Sequence, residues 1–212
     1  MKNKLKITMS KNPHADADNP KERVLYTKPN FVFEPGITVL VGRNGSGKTT
    51  LLNGIKEHCK KENIPCYHYD NYEQGGQQAK REYGFFGNYE SLFSVLFHSE
   101  GEQIYENFCN QVKKMGSFCR QHQTADKLVF CLDALDSGLD CDGIKQILDC
   151  FNLIINDNKD KEVYIIASGN NYGLIRNQRC LDVKTNIINK FITYEQFENF
   201  ILKRYEEERA EQ

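Results

Sequence analysis

No stretch of about 18 consecutive apolar residues, the length a helix needs to cross a bilayer, occurs in this chain. Its first ten residues alternate Lys with Leu and Ile where a secretory leader would place a basic segment and then an apolar core. Neither export nor direct membrane insertion is therefore expected. Net charge is also lacking: the formal value of −1 offers nucleic acid no global attraction, and Lys80 with Arg81, or Lys113 with Lys114, read as solvated basic pairs. Nucleic-acid binding thus finds no support in charge. The eight cysteines, at 59, 66, 109, 119, 131, 141, 150 and 180, include no CxxC pair and no metal-finger spacing. Several sit in apolar stretches, which points to reduced core thiols in a cytoplasmic protein. Cys66 and His68 share one face of an expected strand, but two ligands fall short of a metal site. Internal repeats and low-complexity segments are absent as well.

What is present suits one globular domain spanning residues 1–212: 39% of side chains are apolar and 27% charged, enough to bury a substantial core. Lys4 to Met9 alternates as a strand does, Ser10 to Pro20 is a polar loop, and Arg23–Tyr26 and Phe31–Phe33 read as two short strands. Ile37–Val41 is a continuous apolar run typical of a strand covered on both faces. It leads through a glycine loop into an expected helix over Lys48–Lys61, followed by a strand over Ile64–Tyr69. Between about 77 and 126 apolar residues recur at three- and four-residue steps (Ile104, Phe108, Val112, Met115, Cys119), so a short helical insert is expected there. Leu128–Leu132 and Glu162–Ala167 are further buried strands, separated by an amphipathic helix over Asp142–Ile155. Strand, helix, strand implies a mostly parallel α/β sheet with right-handed crossovers. Cys180–Val183 and Ile187–Ile192 suggest a terminal hairpin, and Thr193 with Gln196 forms a capping box for a last helix that faces Phe197, Phe200 and Ile201 inward.

Gly42-Arg43-Asn44-Gly45-Ser46-Gly47-Lys48-Thr49 fits G-x-x-x-x-G-K-[ST] between a strand and a helix, the context in which that pattern binds phosphate. Glycines let successive backbone N–H groups close around an anion, and the helix behind directs its positive dipole end at the same point. Lys48 is expected on the β- and γ-phosphates of ATP, the Thr49 hydroxyl on Mg²⁺, and Thr50 on the α-phosphate. The second Mg²⁺ carboxylate belongs at the end of a neighbouring strand, where Asp133 closes Leu128–Leu132.

The residues after Asp133, Ala134-Leu135-Asp136-Ser137-Gly138-Leu139-Asp140, carry a wider resemblance. Ser137–Asp140 is similar to the D-loop of the ATP-binding-cassette superfamily in sequence and in distance from the Walker B aspartate. Asn30–Leu52 resembles the opening of DNA-repair and chromosome-structure ATPases and of transporter cassettes. The resemblance implies a P-loop NTPase fold with a small antiparallel β subdomain beside the central sheet. It also implies a head-to-tail, ATP-dependent homodimer in which Ser99 and Gly101, from a degenerate signature loop before a helix near Gln103, meet the partner's γ-phosphate. Gln74 falls where the family's Q-loop glutamine belongs, with Gln77, Gln78 or a plain Gly75-Gly76 turn as alternatives. Tyr26, Phe31 and Phe33 read either as neighbours of adenine or as core.

Two departures stand out. Ala134 occupies the position of the family's water-polarising glutamate, and Ile165-Ile166-Ala167-Ser168-Gly169-Asn170-Asn171 lacks the switch histidine. Asp136, with Asn170 orienting the water, is the candidate substitute base beside Lys48 and Asp133; the plainer role for Asp136 is to brace its loop. Loss of a positioned base lowers turnover by roughly 10²- to 10⁴-fold and leaves phosphate and Mg²⁺ contacts in place. The expected function is an ATP-driven dimerisation switch with slow hydrolysis, acting on a protein partner the sequence does not name. A transporter's cytoplasmic ATPase subunit and a nucleotide-binding pseudo-ATPase are the alternatives. Asp133 follows Thr49 too closely to admit the long coiled-coil arms of chromosome-structure ATPases.

Overall fold

The computed structural model describes residues 4–13, 24–70 and 100–210. Strands β1 (Leu5–Thr8) and β2 (Asn30–Phe33) pair antiparallel in a small separate sheet. Leu5 and Ile7 on one strand and Phe31 and Phe33 on the other are buried, and the residues between them face out, as a period of two requires. The main sheet has the order β4-β5-β6-β3-β7-β8, formed by β3 (Gly36–Val41), β4 (Cys66–Asp70), β5 (Lys127–Asp133), β6 (Glu162–Ser168), β7 (Arg179–Asp182) and β8 (Ile187–Asn189). Every neighbouring pair is parallel except β7 with β8.

Parallel neighbours cannot be joined by tight turns, so helices carry the chain back across the sheet. They are α1 (Lys48–Lys61), α2 (Glu100–Gln121), α3 (Cys141–Asp157) and α4 (Tyr172–Ile175); α5 (Tyr194–Ala210) closes the described chain. The two faces of the sheet bury separate cores. On one, Leu51, Leu52 and Ile55 of α1 pack with Val129, Cys131 and Ile166 and with the small sheet. On the other, Met115, Ile147, Phe151 and Phe197 of α2, α3 and α5 pack on Phe130 and Ile165. Each such side chain contributes about 1.5–3 kcal/mol by leaving water, which fixes α1 on the sheet and with it the loop that starts the helix.

Two expected elements differ. Val24–Tyr26 forms no strand: Leu25 and Tyr26 are consecutive and both buried, which a one-sided strand cannot accommodate, and their amides share the Lys11 carbonyl at 3.0 and 3.3 Å. The last hairpin strand ends at Asn189, because the Ile192 amide is taken by the Gln196 side chain at 2.9 Å as the chain turns into α5. The capping box itself forms, with Gln196 N donating to Thr193 Oγ1 at 3.3 Å and Thr193 N to Gln196 Oε1 at 3.4 Å.

Candidate functional site

The C-terminal edge of the parallel sheet gathers the ends of β3, β5 and β6 under the loop that starts α1. Gly47 caps that helix with φ 94°, a left-handed conformation, and a Cβ there would meet the Tyr26 ring and hydroxyl at 3.0 Å. No side chain caps α1, no acidic residue lies in its first turn, and His58, Lys60 and Lys61 occupy its last. The helix dipole is thus complemented at one end only, and the first-turn N–H groups remain available to an anion. Ser46 is 6% exposed, its hydroxyl is turned across the loop toward Gly42, and that hydroxyl has no hydrogen-bond partner among the described residues.

Lys48 Nζ donates to the carbonyls of Gly42 and Arg43 at 2.7 and 3.0 Å. Burial lowers its pKa from the ordinary lysine value, and the charges of Asp133 and Asp136 act in the opposite direction. A half-buried cation resting on carbonyl oxygens, an orphaned hydroxyl and an open helix N-terminus form a donor set into which phosphate fits. Arg43 turns its guanidinium over the Tyr205 ring of α5, 4.6 Å from the centroid, which ties the loop to the last helix. Asn44 Oδ1 accepts from Asn170 Nδ2 at 3.2 Å. Tyr26 donates to the Gly47 carbonyl at 2.7 Å and bonds the Thr50 side chain, and burial raises its phenol pKa. Tyr26, Phe31 and Phe33 are fully buried beneath the loop, so they support it from the core and offer no exposed ring to a base.

Asp133 ends β5 and is 8% exposed. Its Oδ2 accepts from Thr49 Oγ1 at 2.6 Å, and its Oδ1 accepts from Ser168 Oγ, which also receives the Ala134 N–H at 2.9 Å. The hydroxyl and carboxylate that a nucleotide's divalent cation needs are therefore already in contact. Ser168 is a site residue that sequence reasoning misses; its one signal is that it closes the apolar run of β6, one strand over from β5. Ala134 has φ 48°, a left-handed conformation that costs a residue with a Cβ about 1–2 kcal/mol.

Asp136, 8% exposed, accepts through Oδ2 from the backbone N–H groups of Asn170 and Asn171 at 2.8 and 2.6 Å. Gly169 lies so close that a Cβ on it would sit 2.7 Å from that oxygen. Asp136 Oδ1 accepts no hydrogen bond from the described residues. Loop 168–171 is thereby wrapped around one carboxylate, and Asn170 is delivered to Asn44. Downstream, Asp140 caps α3 by accepting from Gly143 N at 2.8 Å.

The structure thus brings together Lys48, Thr49, Asp133, Asp136, Asn44 and Asn170. Gln74 and Ser99 lie outside the described residues. Gly101 falls within the first turn of α2, which begins at Glu100, earlier than the expected start near Gln103. Among the described residues, no group of three or more His, Cys, Asp or Glu side chains could hold a metal ion unaided, and no helix is long and apolar enough to cross a membrane. Cys66 instead points its thiol at Cys131, with the sulfurs 3.9 Å apart.

No curated protein matches the chain at a significant level. The profile of the AAA domain family, however, matches residues 25–211, a span that includes the phosphate loop, Asp133 and every strand of the main sheet. Nucleotide binding follows from that family, and the loop geometry, the open helix end and the parallel sheet agree with it: the chain belongs to the AAA domain family, with an α/β P-loop NTPase fold.

Proposed function

We propose that residues 1–212 act as one ATP-binding-cassette-type domain that binds ATP with Mg²⁺, closes as a head-to-tail homodimer, hydrolyses slowly, and so switches a protein partner. The observation that carries this reading is the 2.6 Å bond between Thr49 and Asp133 beside an uncapped phosphate loop. The Ser137–Asp140 resemblance supports the cassette type and, with it, the dimer. Free thiols at all eight cysteines accord with a cytoplasmic location.

Lys48, freed from the Gly42 and Arg43 carbonyls, holds the β- and γ-phosphates. The Thr49 hydroxyl and Asp133 face the cation, and Thr50 lies at the α-phosphate. Mg²⁺, when bound, neutralises charge on the β- and γ-oxygens. Hydrolysis joins a water oxygen to the γ-phosphorus as the bond to the β–γ bridging oxygen breaks, giving ADP and phosphate. The surplus proton of the water needs an acceptor, and Asp136 Oδ1 is the candidate, with Asn170 orienting the water. Ala134 has no carboxylate to offer, which is why turnover is slow.

Phosphate release and light scattering with and without ATP·Mg²⁺ test the proposal. The wild type is expected to shift toward dimer on ATP addition and to release phosphate slowly; Asp136→Ala is expected to lower release by about 10²-fold or more with dimerisation retained. Unchanged release in Asp136→Ala would reduce Asp136 to a brace for loop 168–171. No release by the wild type would leave a nucleotide-binding pseudo-ATPase, and absence of an ATP-dependent size change would sink the switch.

A further inference from the structure

Ser168 closes the apolar run of β6 and is 2% exposed. A hydroxyl buried there costs stability unless its hydrogen bonds are made, and the sheet register supplies them. β5 and β6 pair Cys131 with Ile166 and Leu132 with Ala167, so one step further sets Asp133 beside Ser168. Cys131 and Ile166 lie in the core under α1, and strand alternation puts Asp133 and Ser168 on that same face, where Thr49 meets the carboxylate.

A serine hydroxyl has one proton to donate and lone pairs with which to accept. That of Ser168 donates to Asp133 Oδ1 and accepts the Ala134 N–H at 2.9 Å. One side chain therefore holds both the carboxylate and the first residue past β5, where the chain leaves the strand through the left-handed conformation of Ala134. Lys48 acts on Asp133 through its charge, but its Nζ rests on the Gly42 and Arg43 carbonyls. Among the described residues, the hydrogen bonds that orient the Asp133 carboxylate are those of Thr49 and Ser168. The two differ in kind. Thr49 Oγ1 and Asp133 Oδ2 are the atoms a divalent cation takes as ligands, so their mutual bond is exchangeable. The Ser168 bond is on the other oxygen and stays.

We infer that Ser168 is the positioning residue for Asp133: it fixes the rotation of the carboxylate so that Oδ2 is presented to the divalent cation that accompanies ATP. The inference rests on the ATP reading above and adds to it a residue that acts through Asp133. Carboxylates that ligate metals are themselves hydrogen-bonded, and loss of such a partner lowers metal affinity by about 10- to 100-fold.

The test is ATP affinity measured by titration calorimetry with Mg²⁺ and again with a chelator, for the wild type, Ser168→Ala, Ser168→Val and Ser168→Thr, each checked by a melting curve. Loss of the hydroxyl in Ser168→Ala and Ser168→Val should lower the Mg²⁺ enhancement of ATP binding about tenfold or more, with metal-free affinity within about twofold of the wild type. Ser168→Thr should keep the enhancement. Where Ser168→Ala does not fold, the comparison of Thr with Val decides, since the two side chains match in size and differ in the hydroxyl. The inference is overturned if a folded variant without the hydroxyl retains the wild-type enhancement, if binding weakens equally with and without Mg²⁺, or if Thr is as impaired as Val. These outcomes, with a wild type that binds ATP more tightly when Mg²⁺ is present, remove this inference alone; a wild type that binds no ATP removes the parent reading as well.

Discussion

Helices α1 and α3 both start at the C-terminal edge of the same sheet, yet their N-termini are finished in opposite ways. At α3 the chain closes the end itself, with the Asp140 carboxylate on the Gly143 N–H at 2.8 Å and Asp142 in the first turn. At α1 the cap is a glycine with no side chain to offer, the first turn has no acid, and the first helical residue is Lys48. A helix end with no side-chain cap among the described residues, beside a lysine whose ammonium rests on two backbone carbonyls, suits an anion from outside. The capped ends of α3 and α5 contribute to stability; the open end of α1 is the site we propose for the nucleotide.

The contrast can be broken most sharply at Lys48. Lys48→Ala is expected to lower ATP affinity by about 100-fold, on the order of 3 kcal/mol, with little change in thermal stability, because it removes a half-buried charge that the fold gains little from. Titration calorimetry paired with a melting curve measures both, and an unchanged affinity would place the nucleotide elsewhere. Gly47→Ala comes next. Its Cβ must adopt a left-handed backbone and meet Tyr26 at 3.0 Å, so a loss of about 1–2 kcal/mol in denaturant-measured stability is expected together with weaker ATP binding. A variant as stable as the wild type would show that the loop relaxes freely. Smallest are the capped ends: Asp140→Ala and Thr193→Ala should each cost about 1 kcal/mol of stability and leave ATP affinity within about twofold. Equal effects on binding from these caps and from Lys48 would erase the distinction between the two kinds of helix end.

Much of the fold and of the candidate site is legible in the residues alone. The helix over Lys48–Lys61 has the expected bounds because a glycine loop and a lysine-rich end punctuate it locally, and the buried strands stand out as uninterrupted apolar runs. The strand expected at Arg23–Tyr26 shows the limit. Leu25 and Tyr26 are strand-like by composition, but both side chains are drawn into the core under the phosphate loop, a demand no local pattern records. Ser168 reads as the end of a strand and no more, since nothing in its neighbourhood announces Asp133, 35 positions away.

By itself, the sequence determined the phosphate loop, the helix behind it and the carboxylate at the end of β5. Each depends on contiguous residues, whose spacing sets backbone conformation and helix or strand period directly. Only the tertiary structure decided what surrounds them: Ser168 on Asp133, Asp136 inside loop 168–171, and Arg43 stacked on Tyr205. Those pairs depend on which strands lie side by side and in what register, and register is set by how two distant apolar faces pack on α1 and α3, a property of the whole sheet and of none of its segments.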